Sequence, residues 1–285
     1  MKTENRLRAC LIDSCVTVGE AVLGRRLLNR LGGFVYWRTR GENLDDPERN
    51  GEYKTLRALK VSLAGRRPVV VDVGANVGDW SREIAAQFES PLIYAVEPVA
   101  ETFQALRANV AGLPGVQCSN LALSDRAGTA EIHVAGRFSG ANSFHVVEAG
   151  PGAHTEVVTT MTGDQFCQER SLGRLDLVKI DAEGHEVSIF KGFAGRIQSR
   201  GVIFWQFEYN KTWIPAKSLL KEVFELFVPA GYCLCKLRPN DLVCYRKYTP
   251  RLENYCYSNW LIVLDTELNG LGRQIRIIPG DEQEW

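Results

Sequence analysis

The sequence predicts an α/β fold built on a doubly wound, mostly parallel sheet, and three observations carry that prediction. Val69-Val-Val-Asp-Val73 is a β-branched run between Pro68 and Gly74, the composition of a central strand buried on both faces. From Pro68 onward strand-like and helix-like stretches alternate, which implies parallel strands joined by right-handed helical crossovers. Acidic residues stand where the strands should end: Asp72 before a glycine turn, Glu97 after the second strand, and Asp181 with Glu183 after the fourth. That edge is where open α/β sheets receive ligands.

Taken in order, residues 4–31 carry Leu7, Leu11, Val18, Val22, Leu27, Leu28 and Leu31 at near-helical spacing among Arg and Glu, predicting one or two amphipathic helices ended by Gly32-Gly33. Residues 41–50 are a polar turn, and 53–63 a helix leading into the first core strand. Strands are expected at 69–74, 92–97 and 116–123, with helices at 79–88 and 100–111. Further strands are expected at 129–134 and 156–161, around a glycine-bearing loop, 136–152, that contains Asn142, Ser143 and His145 and has the make-up of a lid. Then follow strand 175–180, helix 186–193, strand 202–207, helix 217–227, and strands 232–237 and 259–264. The implied division is a helical extension or cap at 1–64, the sheet domain at 65–275, and a tail at 276–285 whose last residues, 281–285, fray.

Composition bounds the function classes. A chain of 285 residues with 45% hydrophobic content supports one α/β domain with an extension. Zero net charge gives no reason to expect a nucleic-acid partner. The charge is nevertheless uneven: residues 1–60 hold twelve Lys/Arg against eight Asp/Glu. That excess reads either as solvated helices or as a basic surface for an anionic acceptor or membrane. The eight cysteines lie in apolar runs without a CxxC pair, and Cys233 and Cys235 share a strand face, so all are expected as reduced core thiols of a cytoplasmic protein. Asp13 and Glu20 interrupt the apolar run from Leu11 to Val22, which argues against a secretory signal. No stretch approaches the roughly 18 uncharged residues of a membrane span.

The turn Gly74-Ala-Asn-Val-Gly78 opens a helix, where missing Cβ atoms and unpaired N–H groups let a polar ligand approach the backbone. Glu97 lies 19 residues beyond Gly78, the place from which a carboxylate accepts both hydroxyls of a ribose. Asn76 occupies the position of the second glycine in a dinucleotide fingerprint. A pyrophosphate needs that glycine; a cofactor without one does not, and Asn76 can bind an amino-acid end group instead.

Four motifs in this order are similar to one family. Asp72-Val-Gly-Ala-Asn-Val-Gly78, Val96-Glu-Pro98 with Thr102-Phe103 and Leu106 to Asn109, Leu121-Ala-Leu-Ser-Asp125, and Asp176-Leu-Val-Lys-Ile-Asp-Ala-Glu-Gly-His-Glu186 with Lys191-Gly192 resemble the FkbM family of S-adenosylmethionine-dependent methyltransferases. The resemblance covers about residues 68 to 210. It implies a class I methyltransferase (Rossmann-like) seven-stranded, mostly parallel sheet with helices on both faces and an antiparallel last strand. It further implies O-methylation of a hydroxyl on a sugar, glycolipid or polysaccharide, or polyketide acceptor.

On that reading Asp72, Gly74, Asn76 and Gly78 form the loop for the methionine end, Glu97 takes the ribose, and Ser124 or Asp125 lies by the adenine amino group. Asp181, Glu183 and His185, with Glu208 behind them, remain as base or acceptor-orienting groups. Each has a plainer alternative. Asp72 orients turn N–H groups, Glu97 caps the following helix, Asp181 and Glu183 cap theirs, and His185 is a packed residue. His145 and His154 read as surface residues. Phe204, Trp205, Phe207 and Tyr209 read as strand packing, with Tyr209 or Trp213 available to a sugar. Asp181, Glu183 and Glu208 could also form an oxygen-rich Mg²⁺ site, which spacing alone does not establish, so no metal ligand is assigned. The other function classes are a NAD(P)-dependent oxidoreductase on the same sheet and a non-catalytic S-adenosylmethionine-binding protein. The acceptor and the oligomeric state are not legible in the residues.

Overall fold

The structure is a computed structural model that describes residues 2–145 and 151–280. It divides into two compact units, Met1–Asn43 and Leu44–Trp285. The first is a hairpin of α1 (Lys2–Leu23) and α2 (Arg25–Arg40). Gly24 makes the bend at φ 74°, and Leu28 packs at 3.0 Å from where a Gly19 Cβ would stand, which lets the helices approach closely. Gly32 and Gly33 do not end the helix as expected. Phe34 and Val35 continue the apolar face beyond them, and α2 stops only at Gly41, in the left-handed conformation.

The second unit begins with α3 (Glu52–Ser62), whose Leu56 and Leu59 are fully buried in one cluster with Val70, Ile93 and Leu177. This helix, within the stretch 1–64 expected as an extension or cap, thus belongs to the core of the second compact unit. It continues through β1 (Val69–Val73), α4 (Asp79–Gln87), β2 (Leu92–Val96), α5 (Ala100–Val110), β3 (Val116–Ser119), β4 (Ala122–Ser124), β5 (Gly128–Val134) and β6 (His154–Thr162). Then come α6 (Gly163–Glu169), β7 (Leu175–Ile180), α7 (Glu186–Gly192), β8 (Val202–Tyr209), β9 (Tyr232–Leu237), β10 (Asp241–Tyr245), β11 (Ser258–Leu264) and β12 (Arg276–Pro279).

The main sheet runs β3-β2-β1-β7-β8-β11-β9, with β11 antiparallel to both neighbours. This is the seven-stranded class I methyltransferase order with its antiparallel strand. Two further strands extend it: β10 pairs antiparallel with β9, and β12 pairs parallel with β10. Residues 276–279, expected as tail, are thus an edge strand; residues 281–285 lie outside the described part. The apolar run 116–123 is not one strand either. Asn120 donates from its side-chain amide to the carbonyls of Glu97 and Pro98, and the chain leaves the main sheet there. β4 joins β6 and β5 in a three-stranded sheet.

Cys235 and Cys244 correct the all-reduced expectation. They are register partners across β9 and β10, and a disulfide joins them. Sequence pattern places each in an apolar strand but not opposite the other. Tyr209 and Trp213 are fully buried, so neither faces a sugar. One core layer is aromatic: Phe190 meets Trp205, Phe207 and Phe227 edge-on at centroid distances of 5.9, 5.4 and 5.0 Å, an arrangement that adds to the area each ring buries. Phe190→Ala should lower unfolding free energy by about 3–5 kcal/mol in urea titration. A loss below about 1 kcal/mol would show that this layer is not the core it appears from burial.

Candidate functional site

Three strand ends are tied together. Gly74 and Ala75 both donate to the Val96 carbonyl, at 3.0 Å each, and Asp181 donates to the Val73 carbonyl at 3.0 Å. The ends of β1, β2 and β7 thereby share one floor. Gly74 has φ 76°, and a Cβ there would collide with the Asp181 carbonyl; only glycine allows the two loops to touch. Gly78, at φ 92°, brings its Cα against Leu106, where a Cβ would stand 2.7 Å from that side chain. Between them Asn76 adopts φ 47°, a left-handed conformation that Asn tolerates better than most residues.

A cleft of about 540 Å³ opens above this floor. Glu97 lies in it, almost fully buried, and its two oxygens accept the N–H groups of Asn76 at 3.0 Å and Val99 at 2.9 Å. Burial pushes its carboxyl up to about 7. The opposite wall is apolar, from Leu121, Leu123, Ile132, Phe144 and Ile189, and the loop expected as a lid contributes Ser139, Gly140 and Asn142; residues 146–150 of that loop lie outside the described part. Asn76 Oδ1 is buried without a hydrogen-bond partner. A glycine cradle, an unsatisfied amide oxygen, a carboxylate with spare lone pairs and an apolar strip match an amino-acid end, a ribose diol and a purine, so the residues present fit S-adenosylmethionine.

The remaining cofactor-loop residues stand differently. Asp72 is fully buried beneath the loop and lines neither cleft; its Oδ2 accepts the Ser81 hydroxyl at 2.6 Å. Ser124 and Asp125 are not among the cleft-lining residues, whereas Leu121–Leu123 beside them are. Ser124 Oγ instead lies 3.1 Å from Asp125 Oδ1 and 2.9 Å from His185 Nε2. If the hydroxyl donates to Asp125, Nε2 must carry the imidazole proton, and Nδ1 is left a buried acceptor without a partner. Burial and the nearby His145 lower His185 to about 4. A neutral imidazole of that basicity suits a hydrogen-bonding wall better than a general base at neutral pH. His145 is half-buried, its ring 6.0 Å from His185, so it belongs to this wall rather than to open surface. His154 is exposed and pairs with Glu156.

A second cleft of about 780 Å³ adjoins the first and shares Gly74, Asn76 and Asp181 with it. Asp45, Glu52, Asp79, Asp181 and Glu208 supply five carboxylates, Lys179 supplies an ammonium, and Tyr53, Trp80 and Tyr257 supply aromatic faces. Lys179 Nζ donates to Asp181 Oδ2 at 2.9 Å and lies 5.5 Å from the Trp80 ring. Asp181, Asp72 and Glu52 outweigh the cost of its burial and raise its pKa, so it stays charged. One oxygen each from Asp181, Glu183 and Glu208 lies within 4.8 Å of the others. Burial, with Asp181 next, pushes Glu183 up to about 7; burial, then Asp181 and Glu183, raise Glu208 well above the usual carboxylate range. Carboxylates this close cannot all ionise freely. Glu183 therefore holds its proton to near neutral pH.

Some contributors were invisible as site residues. Glu186 is fully buried and accepts the N–H groups of Ala182 and Gly184, both at 2.9 Å, shaping the loop that carries Asp181 and Glu183. Glu52 accepts from Gln206 at 2.8 Å. Glu186 acts through local bonds to its own loop, whereas Glu52 reaches the second cleft from a helix more than a hundred residues away from its partner Gln206.

The family model described as the methyltransferase FkbM domain matches residues 72–234, and the chain belongs to that family. It is 29% identical over 150 residues to hexuronic acid methyltransferase AglP of Haloferax volcanii, covering 52% of this chain and 59% of that protein. It is 21% identical over 183 residues to 2-O-methyltransferase NoeI of Sinorhizobium fredii, covering 59% of this chain and 75% of that one. Among solved structures, the Methanococcus jannaschii fibrillarin pre-rRNA processing protein superposes with a TM-score of 0.44 at 12% identity, over 77% of this chain and 76% of that one.

The buried carboxylates set a pH dependence of stability. Glu97 and Glu183 sit at about 7 and Glu186 at about 8, raised from 4.5. A group whose folded pKa exceeds its unfolded value stabilises below the unfolded value and loses that contribution as pH rises through the folded one. His185, depressed from 6.5 to about 4, acts in the opposite sense but only below 6.5. The thermal midpoint of the free protein should therefore fall from about pH 6.5 to 8, and Glu183→Gln should make the fall shallower. A midpoint that rises across that window in both proteins would contradict these assignments.

Proposed function

We propose that this FkbM-family chain transfers a methyl group from S-adenosylmethionine to a hydroxyl of a sugar or sugar-bearing acceptor such as a glycolipid. The observation that carries the reading is the junction of the two clefts at Gly74, Asn76 and Asp181. A donor seated in one and an acceptor in the other meet at that point, and alignment of reacting atoms supplies much of the acceleration in a displacement of this kind. When bound, the cofactor supplies an electrophilic methyl on sulfonium.

The chain's own residues do the rest. Glu97, fixed by the Asn76 and Val99 amides, keeps lone pairs for a ribose diol. The apolar strip Leu121–Leu123 with Phe144 takes a purine, and Asn76 Oδ1 an ammonium. Asp181, held by Lys179, stands at the junction and orients the acceptor hydroxyl. The Glu183 carboxylate accepts the proton leaving that hydroxyl, and its raised pKa makes it basic enough near neutrality. Asp181 and Glu208 stand beside it, one oxygen of each within 4.8 Å of the others. This proton-handling role explains the raised carboxylates and needs no Mg²⁺.

The acceptor cleft favours a neutral, hydroxyl-rich ring. Its carboxylates accept sugar hydroxyls and repel a uronate, and the faces of Tyr53, Trp80 and Tyr257 cover ring C–H groups. AglP is described as acting on hexuronic acid and NoeI as a 2-O-methyltransferase; both are consistent with a sugar hydroxyl as acceptor.

Calorimetry should detect saturable S-adenosylhomocysteine binding and none of NAD(P), the signature of the oxidoreductase reading. Glu97→Ala should weaken the former at least about tenfold, with Glu97→Gln intermediate; unchanged affinity in both would remove the ribose role. Turnover of a neutral glycoside should rise with pH through about 7. Glu183→Gln should cut kcat by about 100-fold or more and flatten that limb, leaving S-adenosylhomocysteine affinity unchanged. A variant that binds cofactor and keeps full turnover would return the base to another group. Chelation by EDTA should leave the rate as it was, and a rate restored only by Mg²⁺ would favour the metal reading of the trio.

A further inference from the structure

Residues 1–43 hold eight Lys/Arg against four Asp/Glu, so the basic excess of the N-terminal part lies entirely in the α1–α2 hairpin and the remainder of the chain is acidic by the same amount. Within it, α2 carries five arginines and no acidic residue. Leu27, Leu31, Phe34 and Val35 follow the i, i+4, i+7, i+8 spacing of one helical face, and all four are exposed. Arg26 and Arg30, also exposed, flank one edge of that row. On α1, Leu11, Val18 and Val22 form a matching row and are 65%, 62% and 75% exposed. The hairpin's own contact through Gly19 and Leu28 leaves both rows uncovered. Tyr36 and Trp37 stand exposed near the C-terminal end of α2.

An apolar row alone fits several occupants. The arginines select among them. An apolar face, arginines along its border and amphipathic aromatic rings together are the composition of a helix lying in a bilayer interface, where the apolar row enters the acyl boundary and the cations meet anionic headgroups. Pairing with a second copy would bring two arginine-rich helices together, which like-charge repulsion opposes. No helix among the described residues is long and apolar enough to cross a membrane, in keeping with a surface-lying element. We propose that the N-terminal hairpin docks the protein on the surface of an anionic phospholipid bilayer.

The test uses the full chain with vesicles of phosphatidylcholine alone and of phosphatidylcholine with about a third phosphatidylglycerol. Co-sedimentation should occur with the anionic vesicles only, and should weaken as salt rises. Trp37 emission should shift to the blue on binding, with the shift lost in Trp37→Phe. Arg26→Gln with Arg30→Gln should reduce binding severalfold, and Phe34→Glu should abolish it. Each variant should keep wild-type S-adenosylhomocysteine affinity and thermal midpoint, which shows that the sheet unit is intact. Failure to sediment with either vesicle, or undiminished binding by Phe34→Glu, would overturn the proposal. So would a dimer seen by light scattering that Phe34→Glu dissolves while vesicles are ignored.

Discussion

The contact on which the site depends is the approach of Gly74 to the Asp181 carbonyl. Two crossover loops leave neighbouring parallel strands at the same edge, and any side chain on Gly74 would hold them apart. With no Cβ in the way, Asp181 donates to Val73, Gly74 and Ala75 donate to Val96, and Glu97 accepts from Asn76. The ends of β1, β2 and β7 become one rigid piece. Both clefts rest on it, so the relative position of their contents is fixed by backbone hydrogen bonds and not by long flexible side chains. Such preorganisation is what an alignment-dependent reaction requires of its scaffold.

Rigidity of the backbone would be of little use without a matched arrangement of charge. Asp72, Glu52, Asp181, Glu183 and Glu208 crowd around one ammonium, Lys179. A single cation cannot neutralise them all. Burial raises Glu52 and Asp72 against the pull of Lys179, and it raises Glu183 and Glu208, where Asp181 adds to the effect. Position thus separates chemically identical groups: Asp181 is paired with Lys179, and Glu183 is pushed up to about 7. The buried pairing of Asp72 with Ser81 places a further acid under the loop without exposing it to either cleft. Its unpaired oxygen remains a cost that the neighbouring Lys179 offsets.

Most of the sheet was legible because strands buried on both faces are almost uninterrupted apolar runs; β7 and β9 were placed to the residue. What failed had common causes. The break between β3 and β4 depends on Asn120 reaching carbonyls more than twenty residues earlier, a long-range bond inside a run that looks continuous. Gly32-Gly33 looked like a stop because local propensity disfavours glycine, yet α2 runs through both and ends only at Gly41, which takes the left-handed conformation that the two earlier glycines do not. The Cys235–Cys244 pairing depends on hairpin register, which no spacing rule gives. In the site, motif residues at strand ends were found, while Glu52, Gln206, Tyr257 and Asn259 were not. Glu52, Tyr257 and Asn259 reach the second cleft, and Gln206 reaches Glu52, from elements far apart in the chain. The glycine turn is written locally; the second cleft is assembled by tertiary register.

The zero net charge shows how an average hides an arrangement. A chain with no overall charge need not present a neutral surface to anything: here a cationic hairpin and an acidic sheet unit cancel only in the sum. Surface potential falls off within about 10 Å at ordinary ionic strength, so a partner senses the patch it meets and not the total. An anionic surface meets arginines on α2, whereas a ligand entering the second cleft meets carboxylates. What approaches either unit is therefore selected by the charges it meets there, and the zero sum predicts neither.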